Sequence, residues 1–142
     1  MNEVVINRPP DEVFDFFSDH EKDKLWRTGV IEMRRLSGDD NGVGTRYAQS
    51  VKGPAGRSIQ AGIEVTEFER PRRLAFRTVE GMVRPMGSYS FEPTGEGTRV
   101  RFELSAELGG LKRFMKGPVE KTMRSEVARL ESAKQVLESS RS

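Results

Sequence analysis

VGTRYAQSVKGPAGRSIQAGIEVTEFERPRRLAFRT, residues 43–78, carries the decisive pattern: alternating runs separated by glycine and proline turns. Thr45, Tyr47, Gln49 and Val51 share one parity, against Arg46, Ala48, Ser50 and Lys52 on the other. Gly53-Pro54-Ala55-Gly56 turns the chain. Ile59, Ala61, Ile63 and Val65 then share a face, while Phe68 falls on the opposite parity, which a bulge near Thr66-Glu67 reconciles. Arg70-Pro71 turns again, after which Leu74, Phe76 and Thr78 point one way and Arg73, Ala75 and Arg77 the other. Antiparallel strands of this kind have one wet face and one covered face.

The pattern continues downstream. Beyond a loop around Gly81-Met82, Tyr89 and Phe91 alternate with Ser88 and Ser90. Pro93-Thr-Gly-Glu-Gly97 reads as a last hairpin, followed by Val100, Phe102 and Leu104 on one parity. Upstream, Ile31 to Leu36 reads as a strand, and Ser37 to Gly42 as a turn of residues that tolerate positive φ. Val4-Val5-Ile6 is a short strand ended by Arg8-Pro9-Pro10, since proline cannot donate to a ladder. Pro10 opens a helix, with Asp11 and Glu12 complementing its N-terminus and Val13, Phe14, Phe16 and Phe17 as its apolar stripe. Ser18-Asp19 is expected to cap a second short helix reaching Trp26, with Glu21 placed for a capping box.

What covers the sheet is the C-terminal segment. Leu111, Met115, Val119, Met123, Val127, Leu130 and Leu137 recur at helical intervals, and Phe114 widens the stripe. Gly117-Pro118 interrupts it, so a short helix is expected before this point and a longer one from Pro118. The expected fold class is α+β: a curved antiparallel sheet of about seven strands, in the order β-α-α-β6-α, wrapped around a long C-terminal helix. A helix laid along a concave sheet leaves a space suited to an apolar small molecule. Residues 1–142 are read as one domain, with a disordered tail at Ser139–Ser142.

Composition narrows the function classes. The 24 basic and 22 acidic residues leave a net charge of +2, and no basic face emerges, so nucleic acid is not an expected partner. The densest basic cluster, Arg70-Pro71-Arg72-Arg73, belongs to a turn where solvated charge is ordinary. There is no cysteine, which excludes disulfides and thiolate chemistry and agrees with a reducing cytoplasm. Residues 1–17 lack a continuous apolar run and contain Glu3, Asp11, Glu12 and Asp15, and no stretch approaches a membrane span of ~18 apolar residues. A cytoplasmic protein is expected.

Catalytic and metal signatures are sparse. His20 is the only histidine, so a zinc site would need carboxylates throughout. Ser37-x-Asp39-x-Asn41-Gly42 faintly echoes a calcium loop, but Ala48 stands where the distal glutamate belongs. No nucleophile elbow is present, and Gly42-Val43-Gly44 and Gly95-Glu96-Gly97 lack the following helix and lysine of a phosphate loop. His20, amid Asp19, Glu21, Lys22 and Asp23, reads as a solvated surface residue. Neither a metal nor a cofactor is expected, and no catalytic residue can be named.

Arg8-Pro9-Pro10-Asp11-Glu12-Val13-Phe14-Asp15-Phe16, with Trp26 just beyond, resembles the polyketide cyclase/dehydrase-like family. That family belongs to the START-like superfamily, with the helix-grip fold of the birch-pollen allergen group. Gly42-Val43-Gly44-Thr45, Glu64-Val65-Thr66-Glu67-Phe68-Glu69-Arg70-Pro71 and Gly97-Thr98-Arg99-Val100 extend the resemblance along essentially the whole chain. These motifs are turns and core positions, so the resemblance implies a hydrophobic pocket rather than a particular reaction. Its members include cyclases and carriers of lipids and hormones.

The candidate ligand-binding set comes from the inward parity. Tyr47, Gln49, Thr78 and Tyr89 are its polar or amphipathic members, beside Phe76, Phe91, Phe102 and the helix residues Met115 and Met123. Trp26 either gates the pocket or packs the helices, and Met82 and Met86 mark a candidate lid. The expected function is binding of a hydrophobic or amphipathic small molecule, such as a lipid, polyketide or aromatic metabolite. The alternatives are a cyclase or dehydrase using the same polar groups for proton transfer, and a protein-interaction module with a collapsed pocket. Monomer and homodimer are both open.

Overall fold

The computed structural model describes residues 2–27, 29–38, 41–80, 84–105 and 129–139. Its strands are β1 (Asn2–Ile6), β2 (Val30–Ser37), β3 (Arg46–Lys52), β4 (Ser58–Gln60), β5 (Ile63–Glu69), β6 (Arg73–Thr78), β7 (Met86–Pro93) and β8 (Thr98–Ser105). They form one antiparallel sheet in the order β1-β8-β7-β6-β5-β3-β2, with β4 beside β3. Helix α1 (Pro10–Ser18), a 3₁₀ helix (His20–Leu25), a short 3₁₀ turn (Pro54–Gly56) and α2 (Leu130–Ser139) complete the described elements. The expected α+β class and antiparallel sheet are observed, with eight strands rather than about seven.

The additional strand arises at Ala61-Gly62. β4 and β5 keep one register against β3, with Ile59 opposite Val51 and Ile63 opposite Tyr47. Between them the Gly62 N–H donates to Glu80 Oε1 (2.8 Å), and Gln49 Nε2 donates to the Ala61 carbonyl (2.7 Å). Side chains therefore replace ladder bonds at the interruption. The expected bulge is present too, as a register shift between Val65 and Glu67. It brings Phe68 back against the core, edge-on to Phe14 at 5.1 Å.

Cross-strand partners share a face, so the register defines the covered surface. It carries Val4, Ile6, Tyr47, Ile63, Val65, Leu74, Phe76, Tyr89, Phe91, Val100 and Phe102, all buried. On β3 and β5 to β8 the alternation anticipated these positions. Pro10 sits in the first turn of α1 as expected, and Val13, Phe14, Phe16 and Phe17 are buried. Each such side chain contributes roughly 1.5–3 kcal/mol relative to exposure.

Of the expected Ser18-Asp19 cap, Asp19 is the capping residue of the 3₁₀ helix, its carboxylate accepting from the Glu21 N–H. Two other local expectations are corrected. No capping box forms, because Glu21 Oε2 accepts instead from the Arg35 N–H (3.1 Å) and ties this helix to β2. Met86 is a residue of β7 paired with Arg77 and Ser105, not part of a loop, while Met82 lies outside the described residues.

The turn after β2 behaves as its composition suggests, with Gly38 at φ 90° and Asn41 at φ 61°. Its Asp39, and with it most of the calcium-loop comparison, lies outside the described residues.

Helix α2 presents Leu130, Ala133 and Leu137 to the core. Lys134 Nζ donates to the Val5 carbonyl (2.9 Å), and Glu138 Oε2 accepts from the Asn7 N–H (2.7 Å), fastening α2 along β1. Leu111, Phe114, Met115, Gly117-Pro118, Val119, Met123 and Val127 lie outside the described residues, as do residues 140–142. Ser139, read from the sequence as the start of a disordered tail, is the last residue of α2. Among the described residues, no helix is long and apolar enough to cross a membrane.

Candidate functional site

The concave face divides into two halves. Over one half lie α1 and the 3₁₀ helix, whose Phe14, Phe17 and Trp26 pack on the inward aromatic residues. Phe17 lies 5.1 Å from Tyr89 and 5.6 Å from Trp26, and Phe14 lies 5.2 Å from Phe91. Trp26 stands edge-on to Phe102 at 6.3 Å, and Phe102 stacks on Tyr89 at 4.5 Å. The structure thus gathers Trp26, Tyr89, Phe91 and Phe102 into one aromatic cluster beneath the helices. Offset and edge-on pairs of this kind add about 0.5–1.5 kcal/mol each beyond area burial.

The other half carries Tyr47, Gln49, Phe76 and Thr78. Register places Thr78 opposite Ile63 and Ile63 opposite Tyr47, a continuous row across β6, β5 and β3. Phe76 faces Gly87 on β7, where a Cβ would come within 2.4 Å of its ring, so glycine gives that ring its seat. Burial decreases along β3: Tyr47 and Gln49 are buried, Val51 is half-buried, and its partner Ile59 is 40% exposed. The face therefore meets solvent at the Val51–Ile59 end. Met115 and Met123 lie outside the described residues.

Against this second half sits a group that local composition placed at the surface. His20 is fully buried (0% exposed), edge-on to Tyr47 at 5.2 Å and to Phe76 at 5.5 Å. Its Nδ1 lies 3.4 Å from Asp23 Oδ2, which also accepts from Arg27 Nη1 at 3.1 Å. Asp23 and Arg27 are buried as well. Helical spacing brings the three together, since residues three and four apart share a helix face. That spacing was readable, but the charged neighbours on either side favoured a solvated histidine.

Polar atoms on this surface are unevenly satisfied. Among the described residues, His20 Nε2, Asp23 Oδ1, Trp26 Nε1 and Gln49 Oε1 are buried without a hydrogen-bond partner. Tyr47 donates its hydroxyl to Asn41 Oδ1, which also accepts from Arg35 Nη1 (3.1 Å). Burial pushes the Tyr47 phenol up to about 12, with the nearby Asp19 carboxylate adding to the rise. Tyr47 is a neutral hydrogen-bond donor throughout the physiological range.

The outer charges are largely paired. Arg70 grips Asp15 with two bonds (2.8 and 2.9 Å), which ties the β5–β6 turn to α1 and holds the Asp15 carboxyl below its usual range. Arg73 meets Glu67 at 2.7 Å and Arg101 meets Glu3 at 2.8 Å. An outer groove of about 470 Å³ runs between Pro10, Pro71, Arg72 and Arg99, and Arg99 in it is bound to Glu92 at 3.0 Å.

The family model described as polyketide cyclase / dehydrase and lipid transport matches residues 2–138. The chain belongs to this family. No curated protein matches it in sequence. TTHA0849 from Thermus thermophilus is similar over 98% of this chain and 97% of its own, with 25% identity and a TM-score of 0.79. Ara h 8.0201 superposes over 98% of this chain and 96% of its own at 12% identity, with a TM-score of 0.70. The di-domain ARO/CYC StfQ from the steffimycin biosynthetic pathway matches over 96% of this chain, which spans about half of StfQ (49%), at 11% identity and a TM-score of 0.71. At these identities the last two speak to the fold, which is the helix grip. Family membership and fold together support a ligand-binding or cyclase role.

Proposed function

We propose that the chain works as one domain that binds a hydrophobic or amphipathic small molecule (a lipid, polyketide or aromatic metabolite) between the concave sheet and the C-terminal helix. The observation that carries this reading is the second half of the sheet: Gln49 lies between Tyr47 and Val51 on one parity of β3 and opposite the buried Met33 of β2, and its Oε1 is buried without a partner among the described residues. A mostly apolar wall with a few oriented polar groups is what a small-molecule site needs. Apolar burial supplies the affinity, about 2.5 kcal/mol for each 100 Å² of ligand surface removed from water. Tyr47, Gln49 and Thr78 supply orientation. Trp26, Tyr89, Phe91 and Phe102 form the base of the site, and Met115 and Met123 remain candidate ligand contacts on their sequence pattern alone.

A second reading, chemistry of the cyclase or dehydrase kind, is favoured by the buried His20–Asp23 pair, because a carboxylate-oriented imidazole suits proton transfer.

Titration with the apolar fluorophore 1-anilinonaphthalene-8-sulfonate, followed by amide NMR, tests the binding reading. Saturable one-to-one binding is expected, with shifts concentrated at residues 47–51, 59–65 and 76–78. Shifts centred instead on the exposed Leu25, Leu36 and Val43 would favour an interaction surface and remove the pocket.

A further inference from the structure

We propose that His20 Nε2 and Gln49 Oε1 are a matched pair of hydrogen-bond acceptors, and that the ligand is therefore hydroxylated: an enol, phenol or polyhydroxy ring rather than a plain hydrocarbon chain. This rests on the binding reading above and names its ligand class.

The argument begins with the proton on His20. Asp23 Oδ2 is a carboxylate oxygen and can only accept, so the contact at 3.4 Å places the imidazole proton on Nδ1. Arg27 Nη1 donates to the same oxygen at 3.1 Å, so Asp23 Oδ2 is shared by two donors. With the ring proton on Nδ1, the tautomer this contact selects carries a lone pair on Nε2. That atom is buried, has no partner among the described residues, and belongs to a ring held between Tyr47 and Phe76 on the concave face.

Gln49 reaches the same condition by another route. Its Nε2 is committed to the Ala61 carbonyl at 2.7 Å, where it repairs the interrupted strand, and this fixes which end of the amide is free. The free end is Oε1, again an acceptor and again buried without a partner. Gln49 lies two residues along β3 from Tyr47, the next inward position. Tyr47 itself already donates its hydroxyl to Asn41.

Two buried acceptors call for a ligand that brings donors. A hydroxyl satisfies one, and a methyl ether or hydrocarbon satisfies neither. Leaving a buried polar group unpaired weakens binding by about tenfold or more. The triad is also poorly explained by stability alone, since a buried ion pair is often no better than apolar side chains of the same volume.

His20 is the only histidine in the chain, so its imidazole nitrogens give one unambiguous set of ¹⁵N signals. The test compares 2-naphthol with 2-methoxynaphthalene on the intact protein, by affinity and by those signals. Expected results are an Nδ1–H tautomer in the free protein, an Nε2 shift with 2-naphthol but not with the ether, and at least tenfold tighter binding of 2-naphthol. His20→Phe should reduce that preference to within about threefold. Should this variant fail to fold, the wild-type imidazole spectrum decides. If both probes bind equally and shift residues 47–51 while Nε2 stays unmoved, the acceptor assignment is overturned and the pocket stands. If neither probe saturates, the pocket and the assignment fall together.

Discussion

Leu130→Asp is expected to lower the unfolding free energy by about 3–5 kcal/mol, the loss typical of an uncompensated buried charge. Leu130 is fully buried at the start of α2, on the face it shares with Ala133 and Leu137. Two cations near α2 are already engaged: Lys134 donates to the Val5 carbonyl and Arg8 to the Glu138 carbonyl. An aspartate at 130 would therefore sit in apolar surroundings, or take up a proton at a comparable cost. Urea denaturation of the two proteins measures the difference. A variant within about 0.5 kcal/mol of wild type, the level of a featureless surface site, would mean that α2 does not pack on the sheet as described.

The second large effect lies at alkaline pH. The Tyr47 phenol is raised to about 12, so the folded chain keeps this proton between roughly pH 10 and 12 while the unfolded chain loses it. The unfolded state binds fewer protons there, so stability falls as pH rises. This contribution is fully present below about pH 10 and is lost as pH rises through about 12. It amounts to about 1.4 kcal/mol per pH unit, or between 2 and 3 kcal/mol in all. Tyr47→Phe removes the titration and the bond to Asn41, so it should start less stable and decline less steeply. Denaturation midpoints from pH 9 to 12 give both slopes, and parallel slopes would show that Tyr47 is not buried as described.

How legible this was from sequence follows from which periodicities survive local chemistry. On β3, β6, β7 and β8 a period of two separated inward from outward residues, and Tyr47, Phe76, Tyr89 and Phe102 are buried accordingly. Phe68 announced its bulge because its parity conflicted with Val65. The interruption at Gly62 was hidden, since it depends on the distant carboxylate of Glu80. His20 was misread for a related reason: local composition showed charged neighbours, whereas burial was decided by Tyr47 and Phe76 on other strands. Asp23 and Arg27 looked like solvated charges until the 3₁₀ helix turned them onto one side with His20.

Parity also says that a residue points inward but not what lies over it. Tyr89, Phe91 and Phe102 share a face with Gln49 and Thr78, yet α1 packs directly on Phe91 and Tyr89 through Phe14 and Phe17, and Trp26 stands edge-on to Phe102. Only the register of the whole sheet divides the candidate set into an aromatic base and a polar wall.

Native mass spectrometry of the protein purified from its own host, followed by organic extraction, tests the binding claim most directly. The expected spectrum shows a stoichiometric added mass that leaves on extraction as a hydroxylated apolar compound. A chain that is bare from its host and takes up neither 1-anilinonaphthalene-8-sulfonate nor 2-naphthol would contradict a ligand-binding pocket.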